Sequence, residues 1–328
     1  MKAIVYARYG APDVLELQEV AKPTPKDNEI VVKVKATTVT LVDCAFRQGT
    51  PFVARLYTGL LRPKKGVLGT ELSGEVESVG GDVTRFKVGD QIFAATDGFD
   101  AHAEFICLPE DGAVEFKPSN LSFEESAAIC NGALTALPFL RDQANLQRGQ
   151  KILINGASGS IGTFAVQLAK YFGAHVTGVC SGANVELVKS LGADQVIDYS
   201  QDDFTRNTQA YDVIFDTVGK SSFSRCKGAL IGKGIYLSTV MALGTMMQMV
   251  WTSMVGGKRA KFAATGLRSA SDQAKDLKFL KTLLEDGKIK PVIDKTYELA
   301  DMAVAHLYVE TGHKKGNVVI TMGLMGDV

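Results

Sequence analysis

No two cysteines in this 328-residue sequence are spaced as a C-x-x-C pair; the five present, Cys44, Cys107, Cys130, Cys180 and Cys226, are scattered and odd in number. That pattern excludes a disulfide framework and a clustered structural metal site, and it predicts a reducing, cytoplasmic compartment. An excess of one charge is also lacking, since 36 Lys and Arg balance 36 Asp and Glu. No overall field therefore draws the chain toward nucleic acid or anionic membrane. Two short basic clusters, Arg62-Pro63-Lys64-Lys65 and Lys258-Arg259-Ala260-Lys261, read as solvated turn or edge residues rather than phosphate-tracking patches. Long apolar runs are missing too. No window approaches the roughly 18 uninterrupted apolar residues of a membrane helix. Residues 241–251 come nearest, but they are too few and include Gln248. The opening residues, Met1 to Arg8, have no apolar core followed by a small-residue cleavage site, so no signal peptide is expected there.

What is present is an ordinary globular composition in a chain longer than the roughly 250–300 residues at which single cores stop growing, so two domains are expected. The first third is β-rich. Ile30 to Ala36 begins apolar and then alternates, Leu72 to Val79 alternates in its second half, and Gln91 to Ala95 and Ala103 to Leu108 are further short strands. Gly80-Gly81-Asp82, Val88-Gly89-Asp90 and Pro109-Glu110-Asp111-Gly112 separate them as turns, which suggests a barrel-like antiparallel domain. Ser122-Phe123-Glu124-Glu125 is a capping-box pattern ahead of a mostly apolar helix. From Lys151 strand-like and helix-like segments alternate through Ile235-Tyr236-Leu237, the pattern of a parallel sheet covered by helices. A helical pattern through Leu277, Leu280 and Leu284, a short extended Val292-Ile293, a helix near Ala300 to Tyr308 and a strand from Asn317 to Ile320 close the chain.

The strongest signal is Ile152-Leu153-Ile154-Asn155-Gly156-Ala157-Ser158-Gly159-Ser160-Ile161-Gly162. A glycine string alone is weak, but this one follows an apolar strand and opens an amphipathic helix, the context of a dinucleotide fingerprint. Gly156 suits the tight turn, Gly159 leaves no Cβ in the way of a pyrophosphate, and Gly162 lets the helix press on the sheet. The competing reading is a close-packed glycine turn without a ligand. The acid that NAD-binding relatives of this motif place roughly 20 residues on is missing from Val179-Cys180-Ser181-Gly182-Ala183-Asn184. A carboxylate there would oppose a 2′-phosphate at a cost on the order of 4 kcal/mol at an effective dielectric near 20. NADPH is therefore the expected cofactor, with Ser181 and Asn184 as donors. Tyr199 is a third contact or an ordinary surface tyrosine.

These residues together resemble the medium-chain dehydrogenase/reductase superfamily, in its zinc-less quinone oxidoreductase branch, over essentially the full length. The resemblance rests on Lys2-Ala3, Val42-Asp43 before Arg47-Gln48-Gly49, Gly69-Thr70-Glu71-Leu72-Ser73-Gly74 and Phe86-Lys87-Val88-Gly89-Asp90. Gly132-Ala133-Leu134-Thr135-Ala136, the glycine turn, Leu191-Gly192-Ala193-Asp194 and Asp216-Thr217-Val218-Gly219 complete it. It implies an α/β protein with a GroES-like catalytic β-barrel domain from residues 1–122 and 267–328, a Rossmann domain inserted at 123–266, and an active site in the cleft. It also implies hydride transfer to a quinone or to the alkene of an enal or enone, and homodimers formed through the sheet edge near residues 256–263. Zinc relatives fill three positions with Cys, His and Cys that align here with Thr40, Thr70 and Asn131, poor ligands for Zn²⁺, so no metal is expected.

The same carry-over puts Thr135 near the nicotinamide, Thr217, Val218, Ser238 and Thr239 along the cofactor, and Asn317 on its phosphate side. Asp43 stands where relatives keep an aspartate, with catalysis and orientation of loop backbone both open. Ala45 occupies the place of a tyrosine donor, so no general acid is named and water is the expected proton source. Phe46, Phe52, Tyr57, Phe99 and Trp251, with the methionines of residues 241–254, are candidates for an apolar substrate wall, with core packing as the alternative for each. His102 reads as a packed or edge histidine. A zinc-less alcohol or aldehyde dehydrogenase and a non-catalytic NADPH-binding protein are the competing functions.

Overall fold

In chain order the first strands are β1 (Lys2–Val5), β2 (Glu16–Glu19), β3 (Glu29–Val39), β4 (Glu71–Val79), β5 (Gln91–Ala95), β6 (Phe105–Pro109) and β7 (Val114–Phe116). Helices α1 (Leu41–Gln48) and α2 (Ala54–Thr58) lie between β3 and β4, and α3 (Phe123–Ala127) and α4 (Cys130–Pro138) follow β7. Next come β8 (Lys151–Asn155), α5 (Ser160–Tyr171), β9 (His175–Cys180), α6 (Val185–Ser190), β10 (Gln195–Asp198) and β11 (Tyr211–Asp216). Helix α7 (Phe223–Cys226), β12 (Leu230–Ser238), α8 (Leu243–Val255) and β13 (Arg259–Phe262) continue the alternation. The chain ends with α9 (Ala270–Glu285), β14 (Ile293–Glu298), α10 (Met302–Glu310) and β15 (Asn317–Thr321). This computed structural model describes the chain apart from residues 53, 65, 97, 241, 242, 264 and 324–328, and apart from the side chains at 54, 57, 243–246, 255 and 266.

Two compact units result. The first takes Met1–Asn131, Ser269–Glu285 and Pro291–Val328; the second takes Gly132–Arg268 and Asp286–Lys290. The first unit is built on a sheet in the order β14-β15-β3-β4-β5-β7, with β6 also paired to β3. Its pairings are antiparallel except β14 with β15. Alternate residues of β3, β4, β5 and β6 (Ile30, Val32, Val34, Leu72, Val76, Ile92, Ile106) fill one core. This is the layer the short alternating strands of the sequence called for.

The second unit carries six parallel strands in the order β10-β9-β8-β11-β12-β13. That is the doubly wound order, which reverses direction between β8 and β11 and leaves a crevice at the carboxyl ends of those strands. Ile152, Leu153, Ile154 and Ile214 are wholly buried, as strands covered on both faces require.

The unit boundaries differ from those expected from sequence. Residues 123–131 fall in the first unit, because α3 puts Ala127 and Ala128 against Ala36 and Val319 of its sheet. Asp286–Lys290 falls in the second, where Gln167 of α5 both donates to and accepts from the Lys290 backbone. Pattern reading locates elements; which unit an element packs on depends on contacts far away in sequence.

Candidate nucleotide-binding site

The turn after β8 is shaped by two glycines that the fold itself requires. Gly156 has φ +82°, and its N–H and that of Ala157 both donate to Val179 O at 3.0 Å. A Cβ on Gly156 would strike Val218 and Thr217, and one on Gly162 would strike the Gly156 carbonyl and Ala157 Cα. Gly159 is different. Its φ is −81°, open to any residue, and a Cβ there would meet only the Gly156 oxygen at an ordinary 3.5 Å. It is the N-cap of α5, and no side chain caps that end. The first amides of a helix have no intrahelical acceptor, and the helix dipole adds positive potential there. Ser158, Gly159, Ser160, Ile161 and Gly162 thus present a turn that an anionic diphosphate fits, with space at Gly159 that packing does not use.

The next strand, β9, ends beside this turn. Asn184 donates from Nδ2 to Ser158 Oγ at 3.0 Å, while its Oδ1 is buried without a partner. Such an orphaned buried acceptor is unfavourable by about 1–3 kcal/mol unless something binds it. Ser181 is half-buried and Tyr199 exposed, with the Tyr199 N–H bonded to Cys180 O at 3.1 Å.

Sequence reasoning missed an acid here. Asp198, at the end of β10, accepts from the Gly182 N–H, from Ser200 N at 3.0 Å and from Ser200 Oγ at 2.8 Å. These bonds, those from Ser200 first, hold its carboxyl below the usual range. A Cβ on Gly182 would lie 2.6 Å from its Oδ2. The turn after β9 lacks an acid of its own but has one beside it, a neighbour that only the β9–β10 pairing (Asp198 opposite Cys180) brings into place.

On the other side of the switch point, Asp216 organises the backbone. Wholly buried, it accepts from Val218 N and Gly219 N through Oδ1, from Ser221 N and Tyr236 OH through Oδ2, and from Asn155 Nδ2. Thr217 Oγ1 donates to Asn155 O at 2.8 Å, so the turns after β8 and β11 are tied together, and Val218 is left exposed at their junction. Ser238 Oγ bonds both the N–H and the carbonyl of Val240, and Thr239 N–H reaches Asp216 O. Thr135 on α4 has its hydroxyl 3.5 Å from that of Thr265. The turn residues 156–162, with Ser181, Asn184, Thr217, Val218, Ser238 and Thr239, all stand at the carboxyl ends of β8, β9, β11 and β12.

Most of the remaining expected residues lie in the first unit. Asp43 is wholly buried and serves α1 as a cap: it accepts from Thr40 N and Thr40 Oγ1 through Oδ2 and from Gly69 N through Oδ1, completing a capping box with Thr40. Asn317 is buried, with its Nδ2 donating to Val292 O. Phe46, half-buried, meets the buried Phe99 edge-to-face at 4.9 Å, beside a small core of Tyr6, Val14 and Leu68. Phe52 is exposed near Arg55, and the side chain of Tyr57 lies outside the described residues. Trp251 is exposed on α8 of the second unit. Met241 and the side chain of Met246 lie outside the description.

At the three positions that bear metal ligands in zinc relatives, Thr40 Oγ1 is spent on Asp43, Thr70 O accepts from Thr96 N, and the Asn131 N–H is spent on Glu71. Among the described residues no group of three His, Cys, Asp or Glu is arranged to hold a metal. Cys44 and Cys130 are buried, and burial pushes both thiols up, Cys44 to about 12. His102 is buried, donating from Nε2 to Thr38 O at 2.9 Å, as a packed histidine should.

Glu71 belongs to the Gly69-Thr70-Glu71-Leu72-Ser73-Gly74 motif. It is buried, accepts from Thr38 Oγ1 and from Asn131 N at 2.5 Å, and is pushed up to about 7, chiefly by loss of water.

Comparison with known proteins bears on this geometry. Residues 26–118 match the alcohol dehydrogenase GroES-like domain, and residues 191–320 match a model described as zinc-binding dehydrogenase. The chloroplast envelope quinone oxidoreductase homolog of Arabidopsis thaliana is 33% identical over 336 aligned positions, covering 98% of each chain. The 2-methylene-furan-3-one reductase of Solanum lycopersicum is 34% identical over 98% of this chain and 79% of its own. Among solved structures, quinone oxidoreductase of Escherichia coli complexed with NADPH superposes with a TM-score of 0.85 at 26% identity, covering 98% of this chain and all of that one. With a GroES-like unit, a doubly wound unit and full-length relatives of this kind, the chain belongs to the medium-chain dehydrogenase/reductase superfamily, in its quinone oxidoreductase branch.

Proposed function

We propose that this oxidoreductase uses NADPH, without zinc, to reduce a quinone or the alkene of an α,β-unsaturated carbonyl. The single observation that carries the reading is Gly159: a glycine at an uncapped helix start, where the fold would accept a side chain and a bound diphosphate would not. The E. coli relative that binds NADPH and the relatives named for quinone and furanone reduction support the choice of cofactor and acceptor.

In this reading the amides of the 156–162 turn hold the diphosphate. Ser181, Asn184 and Tyr199 meet the 2′-phosphate, Thr217, Val218, Ser238 and Thr239 line the cofactor, Thr135 stands by the nicotinamide and Asn317 by its phosphate side. When bound, NADPH supplies a hydride, two electrons and one proton's nucleus, to the acceptor. The second proton then comes from water, because Asp43 is committed to capping α1 and Ala45 has no proton to give. The protein's part is alignment of donor and acceptor, which needs no metal. Thr40 Oγ1 is engaged by Asp43, and Thr and Asn side chains are poor metal ligands. A homodimer located in the cytoplasm belongs to the same reading; light scattering across concentrations tests the assembly.

The test of function is NADPH oxidation against quinones, medium-chain enals and saturated aldehydes, with NADH in parallel and a chelator control. Turnover confined to saturated aldehydes, or a rate lost to the chelator, overturns the proposal. Tight NADPH binding with no turnover on any acceptor would show a binding protein instead.

A further inference from the structure

Asp216, the last residue of β11, is wholly buried. Its Oδ1 accepts from Val218 N at 3.1 Å, Gly219 N at 3.0 Å and Asn155 Nδ2 at 3.0 Å, and its Oδ2 from Ser221 N and Tyr236 OH, each at 3.0 Å. A group that receives five donors and gives none is the carboxylate, not the acid. These bonds hold the turn from 217 to 221 in shape. They do not remove the charge, because amide and hydroxyl dipoles leave a full negative unit in place. Among the described residues no Lys, Arg or His forms an ion pair with it. Lys220, in the same turn, is exposed, and Lys261, one residue short of the end of β13, donates to Gln143 O. The Tyr236 hydroxyl registers the charge: it is pushed up by burial first and by Asp216 next.

Topology puts this anion in one half of the crevice. A doubly wound sheet binds a dinucleotide across the point where the strand order reverses, with one mononucleotide over each half. The glycine turn after β8 and the ends of β9 and β10 form the half suited to the diphosphate and the adenosine. The other half is bounded by the ends of β11, β12 and β13, which are Asp216, Ser238 and Phe262; of these only Asp216 is ionic. The nicotinamide thus falls to the half that holds a buried negative charge.

We propose that the charge of Asp216 favours the oxidised over the reduced nicotinamide and so makes bound NADPH a stronger hydride donor. The inference rests on the NADPH reading above. The hydride carries both electrons of a ring C–H bond to the quinone or enone, whose anion then takes a proton from water, and the ring is left with one positive charge. A fixed anion in a poorly polarisable interior attracts that ring after transfer and not before, so the attraction grows along the reaction. Repulsion of the cofactor's phosphates is the same in both oxidation states and cancels from the comparison. Being wholly buried, Asp216 touches neither cofactor nor acceptor. It is a positioning residue, acting through its field and through the turn it holds.

Titration calorimetry of the full chain with NADPH and, separately, with NADP⁺ reads the effect as a ratio of two dissociation constants. Asp216→Asn removes the charge and keeps the size. It should weaken NADP⁺ relative to NADPH by about tenfold, which raises the potential of the bound couple by roughly 30 mV. Tyr236→Phe keeps the charge and withdraws one donor from it, so the ratio should move the opposite way, by about twofold or more. A turn that serves only as scaffold would weaken both forms alike and leave the ratio where it was. Melting curves show which variants are folded. An unchanged ratio in folded Asp216→Asn overturns the proposal and leaves the cofactor reading intact; where that variant does not fold, an unchanged ratio in Tyr236→Phe does the same. A wild type that binds neither form overturns both.

Discussion

Gly159 and Gly162 differ by three positions and by what their missing Cβ is for. A methyl at 162 would press on the Gly156 carbonyl and the Ala157 backbone, so Gly162→Ala should lower stability by about 1–3 kcal/mol, the usual range for overpacking. Gly159→Ala meets only an ordinary contact and should melt within a degree or two of wild type, yet its NADPH affinity should fall by about tenfold or more, a loss of roughly 1.4 kcal/mol. Calorimetric melting and titration of the two variants side by side check both expectations; equal nucleotide affinity for Gly159→Ala and wild type would remove the basis of the cofactor assignment. Asp198 offers a second residue-scale test. Its carboxylate stands at the turn that would receive the adenosine ribose, so Asp198→Asn should raise the ratio of NADPH to NADH affinity by several-fold. An unchanged ratio would mean the carboxylate is spent on Gly182 and Ser200 alone.

The elements of the first unit are joined by buried polar groups rather than by apolar packing only. Asp43 ties α1 to the backbone at Gly69, and Glu71 ties β4 to the first amides of α4. Asp43→Ala should therefore cost about 1–2 kcal/mol for the cap alone, while Asp43→Asn, if folded, should leave turnover within a few-fold; a hundredfold loss in that variant would return Asp43 to the chemistry. Glu71 carries a pH signature. Its pKa is raised, mainly by burial, from 4.5 to about 7, so the folded state holds a proton that the unfolded chain releases above the lower value. Its contribution to stability is full below 4.5, declines from there to 7 and is then constant, an effect on the order of 3 kcal/mol. Glu71→Gln should flatten that part of the stability profile, so that its deficit against wild type at pH 5 shrinks or reverses at pH 8, as denaturant titration at the two values would reveal.

At the scale of the molecule, a ligand that binds only the folded state adds stability in proportion to its affinity. NADPH at a hundred times its dissociation constant should add about 2.7 kcal/mol, read as a rise in melting temperature larger than that produced by the same concentration of NADH. The alternation of β and α from Lys151, the glycine turn and the motifs of the family were all legible in the chain, because each is a local pattern: a strand period, a capping residue, a backbone position only glycine fills. Local chemistry likewise determined that no cysteine pair or ligand cluster lies within a short stretch. The tertiary structure alone decided the rest. It assigned α3 to the first unit through Ala127 and Ala128, set Asp198 against the turn after β9 through strand pairing, turned Asp43 into a cap rather than a free carboxylate, and faced Trp251 outward while burying Thr252 on the same helix. Each of these depends on partners distant in sequence, and burial is a property of the neighbours that arrive, which no single stretch of residues encodes.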